Sequence, residues 1–232
     1  MVEKRKAWNG IISGFSANNL VFLDESGCNT DMTRRYAYAQ GGSRAVDSAP
    51  LSKPKNTTIL SSIQLDGSLH YTTFSGGTTV EKFKQYLVND LLPYLNPDSV
   101  LVMDNMKSHH AKAIKQLLEE AKIRYVFLPP YSPDLNPIEN LWSKVKALLR
   151  KFKARTLETL PDAIQRAFRA GHHLTVPAGF ALAVIRVNLL NCYNLLEYSG
   201  ISRNGHIVVY HLYLSRYSLG VSPKLALNAR LK

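Results

Sequence analysis

Cysteine is scarce in this 232-residue chain. Cys28 and Cys192 are too few and too far apart for a disulfide framework or a zinc-ligand pair. They fit a reducing compartment. Long apolar runs are also missing. The nearest, residues 176–190, is interrupted by Arg186, and a spanning helix needs about 18 apolar residues. Nor do Met1 to Lys6 lead into the apolar region and cleavage site of a signal peptide. A soluble cytoplasmic protein without a membrane partner is expected. Acidic side chains are the third shortage: 17 Asp and Glu against 29 Lys and Arg, a net charge of +12. A chain this basic attracts phosphate, so nucleic acid is the expected partner ahead of acidic lipid.

Apolar residues are plentiful, at 45% of the chain, enough for a buried core. Residues 20–23 form a short apolar run that predicts a buried strand ending at Asp24, with residues 36–39 a candidate to pair beside it. Residues 41–55 are rich in Gly, Ser, Pro and Lys and predict a loop. Two β-prone runs, 57–64 and 68–74, flank Asp66-Gly67 and predict a hairpin. The period then changes. Val80, Phe83, Leu87 and Leu91 recur at helical spacing, followed by a strand over 100–103, a helix over 111–121 and a strand over 125–128. Helices over 137–152 and 157–168 follow, the first with Leu141, Val145 and Leu148 inward. Strands that come first and then alternate with helices predict an α/β fold, a mixed sheet flanked by helices.

The few acids stand at telling places. Asp24 and Asp104 each end an apolar run, and Glu139 lies at the start of the helix that follows Pro129 to Pro137. Each has a bland explanation. Asp24, and Asp104 with Asn105, suit turns, and Asn136, Pro137 and Glu139 make a near capping box. Glu25 would point to the face opposite Asp24. Ser108 is a candidate cap for the next helix, with His109 and His110 in its first turn as polar surface residues, one of which could touch a phosphate. Taken together, three acids at the ends of neighbouring elements match what hard divalent cations need. Two such ions about 4 Å apart take several carboxylate oxygens, and the cluster repels itself without them. On a basic chain, that combination points to cutting or joining nucleic acid.

Three runs carry a family resemblance: Phe22 to Ser26; Val102 to Asn105 with His109 and His110; and Leu128 to Asn140, Leu-Pro-Pro-Tyr-Ser-Pro-Asp-Leu-Asn-Pro-Ile-Glu-Asn, with Trp142. Thirty-four residues separate Asp104 from Glu139. Over residues 19–169 the chain resembles the catalytic domain of DDE transposases of the mariner-like superfamily, in particular bacterial insertion-sequence members. The resemblance implies a ribonuclease-H-like fold and a site for two Mg2+ ions, replaceable by Mn2+, on Asp24, Asp104 and Glu139. It implies hydrolytic nicking at the ends of the element, then attack of the freed 3′-hydroxyl on target DNA, usually at TA. The implied partners are double-stranded DNA and a second copy of the chain on that DNA. Asn105, His109, His110, Lys144, Lys146, Arg150 and Lys151 are candidate DNA contacts, with Lys153 beside them; a solvated helix face explains the cations equally well.

Both ends depart from the family pattern. The first acid falls at residue 24, so residues 1–18 are expected to be a basic lead-in, with no room for the helix-turn-helix domains that precede the acids in the family. That implies a separate helix-turn-helix half or a truncation. Residues 170–232 carry 6 basic and 1 acidic side chains against 23 and 16 in residues 1–169. They are expected to be a frame-shifted or read-through tail that packs poorly. Two rival readings stand beside the transposase: a catalytically incompetent DNA-binding fragment, and a ribonuclease-H-like nuclease acting on RNA–DNA hybrids.

Overall fold

The computed structural model describes residues 2–34, 36–48, 50 and 54–170. The expectation for the tail lies outside the described residues. Five strands form one sheet: β1 (Leu20–Cys28), β2 (Thr57–Ile63), β3 (Leu69–Ser75), β4 (Val100–Met103) and β5 (Arg124–Phe127). Their spatial order is β3-β2-β1-β4-β5. The first three pair antiparallel, whereas β4 runs parallel to both β1 and β5. The mixed sheet expected from the sequence is therefore present. β1 is longer than its apolar run, because Asp24 to Cys28 continue pairing with β2 through Ser61 to Thr57. The hairpin between β2 and β3 turns at Gly67, whose φ of 92° is the left-handed conformation that glycine adopts without strain. Asp66 secures the turn by accepting a hydrogen bond from the Ser68 amide at 2.8 Å.

Side-chain alternation divides the core between the two faces of the sheet. Leu20 and Phe22 of β1 and Val100 and Val102 of β4 face one layer of helices: α1 (Val2–Ile12), α4 (Ile138–Phe152) and α5 (160–170). Val21, Leu23, Leu101 and Met103 face the other layer, α2 (Val80–Tyr86) and α3 (Lys112–Glu120). Helix α4 lays Ile138, Leu141, Trp142, Val145 and Leu149 on the sheet, an i, i+3, i+4 stripe. Leu148, expected inward, is only partly buried, and Leu149 takes the inner position.

Three local expectations are corrected. Residues 36–39 form no strand, and Tyr36 and Tyr38 are 90% and 107% exposed. Residues 1–18 are more than a basic lead-in: Trp8 and Ile12, four residues apart, put one face of α1 into the core beside α4. Ser108 does not cap α3, since Ala111 occupies the cap position and the Ser108 hydroxyl is buried without a partner.

Helix α1 also reaches the proline-rich turn. The Arg5 guanidinium binds both carboxylate oxygens of Asp134, and its Nη1 lies 3.4 Å from Ser132 Oγ. Both charges are part-exposed, and exposed pairs contribute roughly 1 kcal/mol or less. Arg5→Ala is therefore expected to lower stability by under about 1 kcal/mol in urea unfolding. A larger drop would mean that α1 docks chiefly through this pair.

Candidate active site

The parity that divides the core also aims the acids. Phe22 of β1 pairs with Val102 of β4. Two residues further along come Asp24, within β1, and Asp104, just past the end of β4, where alternation puts both on the side of Phe22 and Val102. That side carries α4, and Glu139 stands in its first turn. All three acids line one open cavity of about 470 Å3. Its walls are Asn105 and Met106 after β4 and the chain from Leu128 to Pro133 after β5. Among the described residues, the lining includes no lysine or arginine.

Each acid is held by its own local structure. Trp142, one turn beyond Glu139, donates its indole N–H to Asp24 Oδ2 at 3.1 Å. Asp104 Oδ1 accepts from the Met106 amide at 2.9 Å and lies 2.8 Å from His109 Nδ1. Glu139 is set by the helix start: its amide donates to the Asn136 carbonyl at 3.2 Å, and Asn136 Oδ1 receives the Ile138 amide at 3.4 Å. The cap position of α4 is Pro137, one residue later than expected, and Asn136 holds the helix start from just before it through the Ile138 amide.

The electrostatics separate the two aspartates. Burial, then the Glu139 charge, raise Asp24 to about 7, against the smaller lowering effects of the Glu25 backbone and the Trp142 indole. Burial also works against ionised Asp104, but the His109 contact, the Met106 amide and the charges of both histidines together outweigh it and hold Asp104 below its ordinary value. The cavity therefore concentrates carboxylate oxygens, one of them destabilised for want of a countercharge. A hard divalent cation would supply that countercharge through carboxylate oxygens. Among the described residues, the side chains whose ligand atoms lie within 4.8 Å of one another are Glu25, Asp104 and His109.

Glu25 points to the face opposite Asp24, as strand alternation expects, and meets His109 there. His109 Nε2 lies 3.0 Å from Glu25 Oε1. This corrects the reading of His109 as a surface residue touching phosphate: its side chain is 0% exposed, held between two carboxylates and against the Phe83 ring at 4.3 Å. Burial opposes its charge, but hydrogen bonds and charges from Asp104 and Glu25 prevail and raise it to about 9. Sequence spacing held no sign of this contact, because Glu25 and His109 lie 84 residues apart.

The other candidate DNA contacts are dispersed. Asn105 donates to the Leu128 carbonyl at 2.5 Å and lies 3.3 Å from His110 Nε2. It ties the end of β4 to the cavity wall. His110 is exposed and stacks on Phe127 at 4.0 Å. Lys144 is exposed and Lys146 and Arg150 are half-buried on α4. Lys151 and Lys153, at the far end of that helix, line a second cavity of about 500 Å3 with Arg34, Tyr36 and Asp47. There the Lys153 ammonium pairs with the Asp47 carboxylate.

Comparison with known proteins places this geometry. The model of the DDE superfamily endonuclease family matches residues 19–161. Over 71 residues the chain is 34% identical to the Tcb2 transposase of a transposable element of Caenorhabditis briggsae, covering 31% of this chain and 26% of that one. The fold matches the Mos1 transposase in its paired-end complex with the left transposon end, with a TM-score of 0.68 and 21% identity over 80% of this chain and 60% of that chain. It also matches the mariner Mos1 paired-end complex with Mg, with a TM-score of 0.62 and 20% identity over 83% and 60% of the two chains. The chain thus spans about a quarter of the matched Tcb2 protein and 60% of the matched Mos1 chains. The sheet and its flanking helices are of the expected ribonuclease-H-like kind.

Proposed function

Given that the chain belongs to the DDE superfamily endonuclease family, we propose that it is the catalytic domain of a mariner-type transposase. In this reading it cuts DNA strands at the ends of an insertion sequence and joins them to target DNA at TA dinucleotides. The observation that carries it is the meeting of Asp24, Asp104 and Glu139 in one cavity whose described lining holds no lysine or arginine. These three carboxylates would hold two Mg2+ ions, with Mn2+ as a substitute. When bound, divalent cations lower the pKa of an attacking water or hydroxyl and stabilise the leaving oxygen of an in-line displacement. The chain's own part is positioning. Trp142 holds Asp24, the Met106 amide holds Asp104, and Asn136, through the Ile138 amide, holds the helix turn that bears Glu139.

The partner in this reading is double-stranded DNA, engaged by two copies of the chain together with a helix-turn-helix half, in the bacterial cytoplasm. Among the described residues no helix is long and apolar enough to cross a membrane. Asn105, His110, Lys144, Lys146, Arg150 and Lys151 remain the proposed DNA contacts. The net charge of +12 supports them.

The test uses duplexes ending in the inverted repeats that flank the coding sequence, with and without a pre-made nick. Mg2+-dependent release of a 3′-hydroxyl and its transfer to a target duplex is the expected result. Binding without cleavage would favour the incompetent fragment instead. Cleavage confined to RNA–DNA hybrids would favour the nuclease.

A further inference from the structure

On the proposed reading that Asp104 is a metal ligand, we infer that His109, backed by the buried Glu25, is a positioning residue that holds the Asp104 carboxylate in its ligating orientation. The geometry is a three-member line crossing from one face of the sheet to the other: Glu25 Oε1, 3.0 Å to His109 Nε2, then His109 Nδ1, 2.8 Å to Asp104 Oδ1. The Nδ1 contact is a close approach without good hydrogen-bond alignment. It and the Met106 amide both meet Oδ1 of Asp104, a residue that lines the cavity.

Two features separate this arrangement from ordinary core packing. The first is its chemistry. The Glu25 side chain is 7% exposed, its Oε2 is buried without a hydrogen-bond partner, and His109 is 0% exposed. The Phe83 ring lies tilted against the imidazole at 4.3 Å, in the core layer that also holds Leu23 and Met103. Burying a carboxyl group and an imidazole together carries a desolvation cost that apolar residues of equal volume avoid, so stability gives little reason for the pair here. The second is its direction. Both ring nitrogens face carboxylate oxygens, and the 0% exposed ring is not part of the lining of the cavity that the three acids share, which places His109 behind Asp104. Partners behind a metal ligand commonly change metal affinity by about 10 to 100-fold when removed.

Asparagine and glutamine split the two contacts. The amide nitrogen of Asn reaches the place of Nδ1, and that of Gln the place of Nε2. In His109→Asn the group facing Asp104 is retained and the link to Glu25 is lost; His109→Gln does the reverse. Mn2+ binding to the full chain, followed by electron paramagnetic resonance at fixed pH, reads the difference without any DNA. His109→Gln is expected to weaken Mn2+ binding by about 10-fold or more, and His109→Asn by less than about 5-fold. Thermal melting of both variants with chelator present accounts for any loss of folded protein.

Equal weakening of the two variants in step with their melting temperatures would reduce His109 to a packing residue and overturn the inference. So would directly coordinated nitrogen in the Mn2+ spectrum of the unaltered protein, which would make His109 a ligand. Asp104→Asn guards the premise. If Mn2+ binds equally well without the Asp104 carboxylate, the proposed metal site itself fails. If Asp104→Asn abolishes binding but His109→Gln matches the unaltered protein, only the inference about His109 fails.

Discussion

Asp104→Asn and Glu139→Gln should each lower Mg2+-dependent cleavage of end DNA by at least about 1,000-fold while leaving the protein folded. The size follows from what a metal contributes to a displacement at phosphorus. That contribution is several kcal/mol of charge stabilisation in the transition state, and each 1.36 kcal/mol is about tenfold in rate. Removing one carboxylate from the proposed three-carboxylate site would leave too few oxygens to hold the ions in place. Both substitutions preserve shape. Asp104→Asn keeps an oxygen for the Met106 amide, and Glu139 is exposed, so its loss leaves no buried cavity. Single-turnover cleavage on a pre-nicked duplex, with circular dichroism of the same samples, checks the result. Cleavage within about tenfold of the unaltered protein would remove that residue from the site.

Asp24→Asn should have the same effect on cleavage and the opposite effect on stability. Burial and the Glu139 charge raise Asp24 to about 7 from an ordinary value of 3.8. The sign follows from linkage. The folded state holds the Asp24 proton more tightly than the unfolded chain does, so the native protein loses stability as pH rises from about 4 through about 7. A rise of that size corresponds to about 4 kcal/mol as an upper bound. Asparagine carries no charge to bury and still offers an oxygen to the Trp142 indole. Without metal at pH 8, Asp24→Asn should therefore be more stable than the unaltered protein by about 2 to 4 kcal/mol, and the advantage should vanish below about pH 4. Urea unfolding across that range measures it. A variant no more stable at pH 8, or an advantage independent of pH, would refute the burial argument. Added Mg2+ should then narrow the gap, because only the unaltered site gains binding free energy.

Much of the architecture is legible along the chain, and particular residues show why. Val100 to Met103 form a strand with the expected bounds because four consecutive apolar residues suit a strand covered on both faces. Asp66-Gly67 marks the hairpin because its turn requires a positive φ at glycine. Alternation puts Glu25 opposite Asp24. Other features left no local trace. Trp8 and Ile12 stand in a basic helix that exposes Val2 and Ile11, and nothing nearby states that α4 will receive the buried pair. The residues 36–39 are β-prone yet exposed, since β1 pairs with β2 instead.

The same division holds at the site. The positions of Asp104 and Glu139 at the ends of elements are properties of the sequence, because apolar runs and proline determine where elements stop; Asp24 lies within β1, which pairs with β2 as far as Cys28. The meeting of the three acids, the Trp142 bond to Asp24 and the Glu25–His109–Asp104 line belong to the tertiary structure alone. Local pattern specifies the face on which a side chain leaves its strand or helix. It cannot specify which distant element covers that face, because that choice depends on packing the whole core at once. His109 makes the point: adjacent to His110 and outwardly similar in sequence, it is buried because α2 brings Phe83 over it and β1 brings Glu25 beneath it.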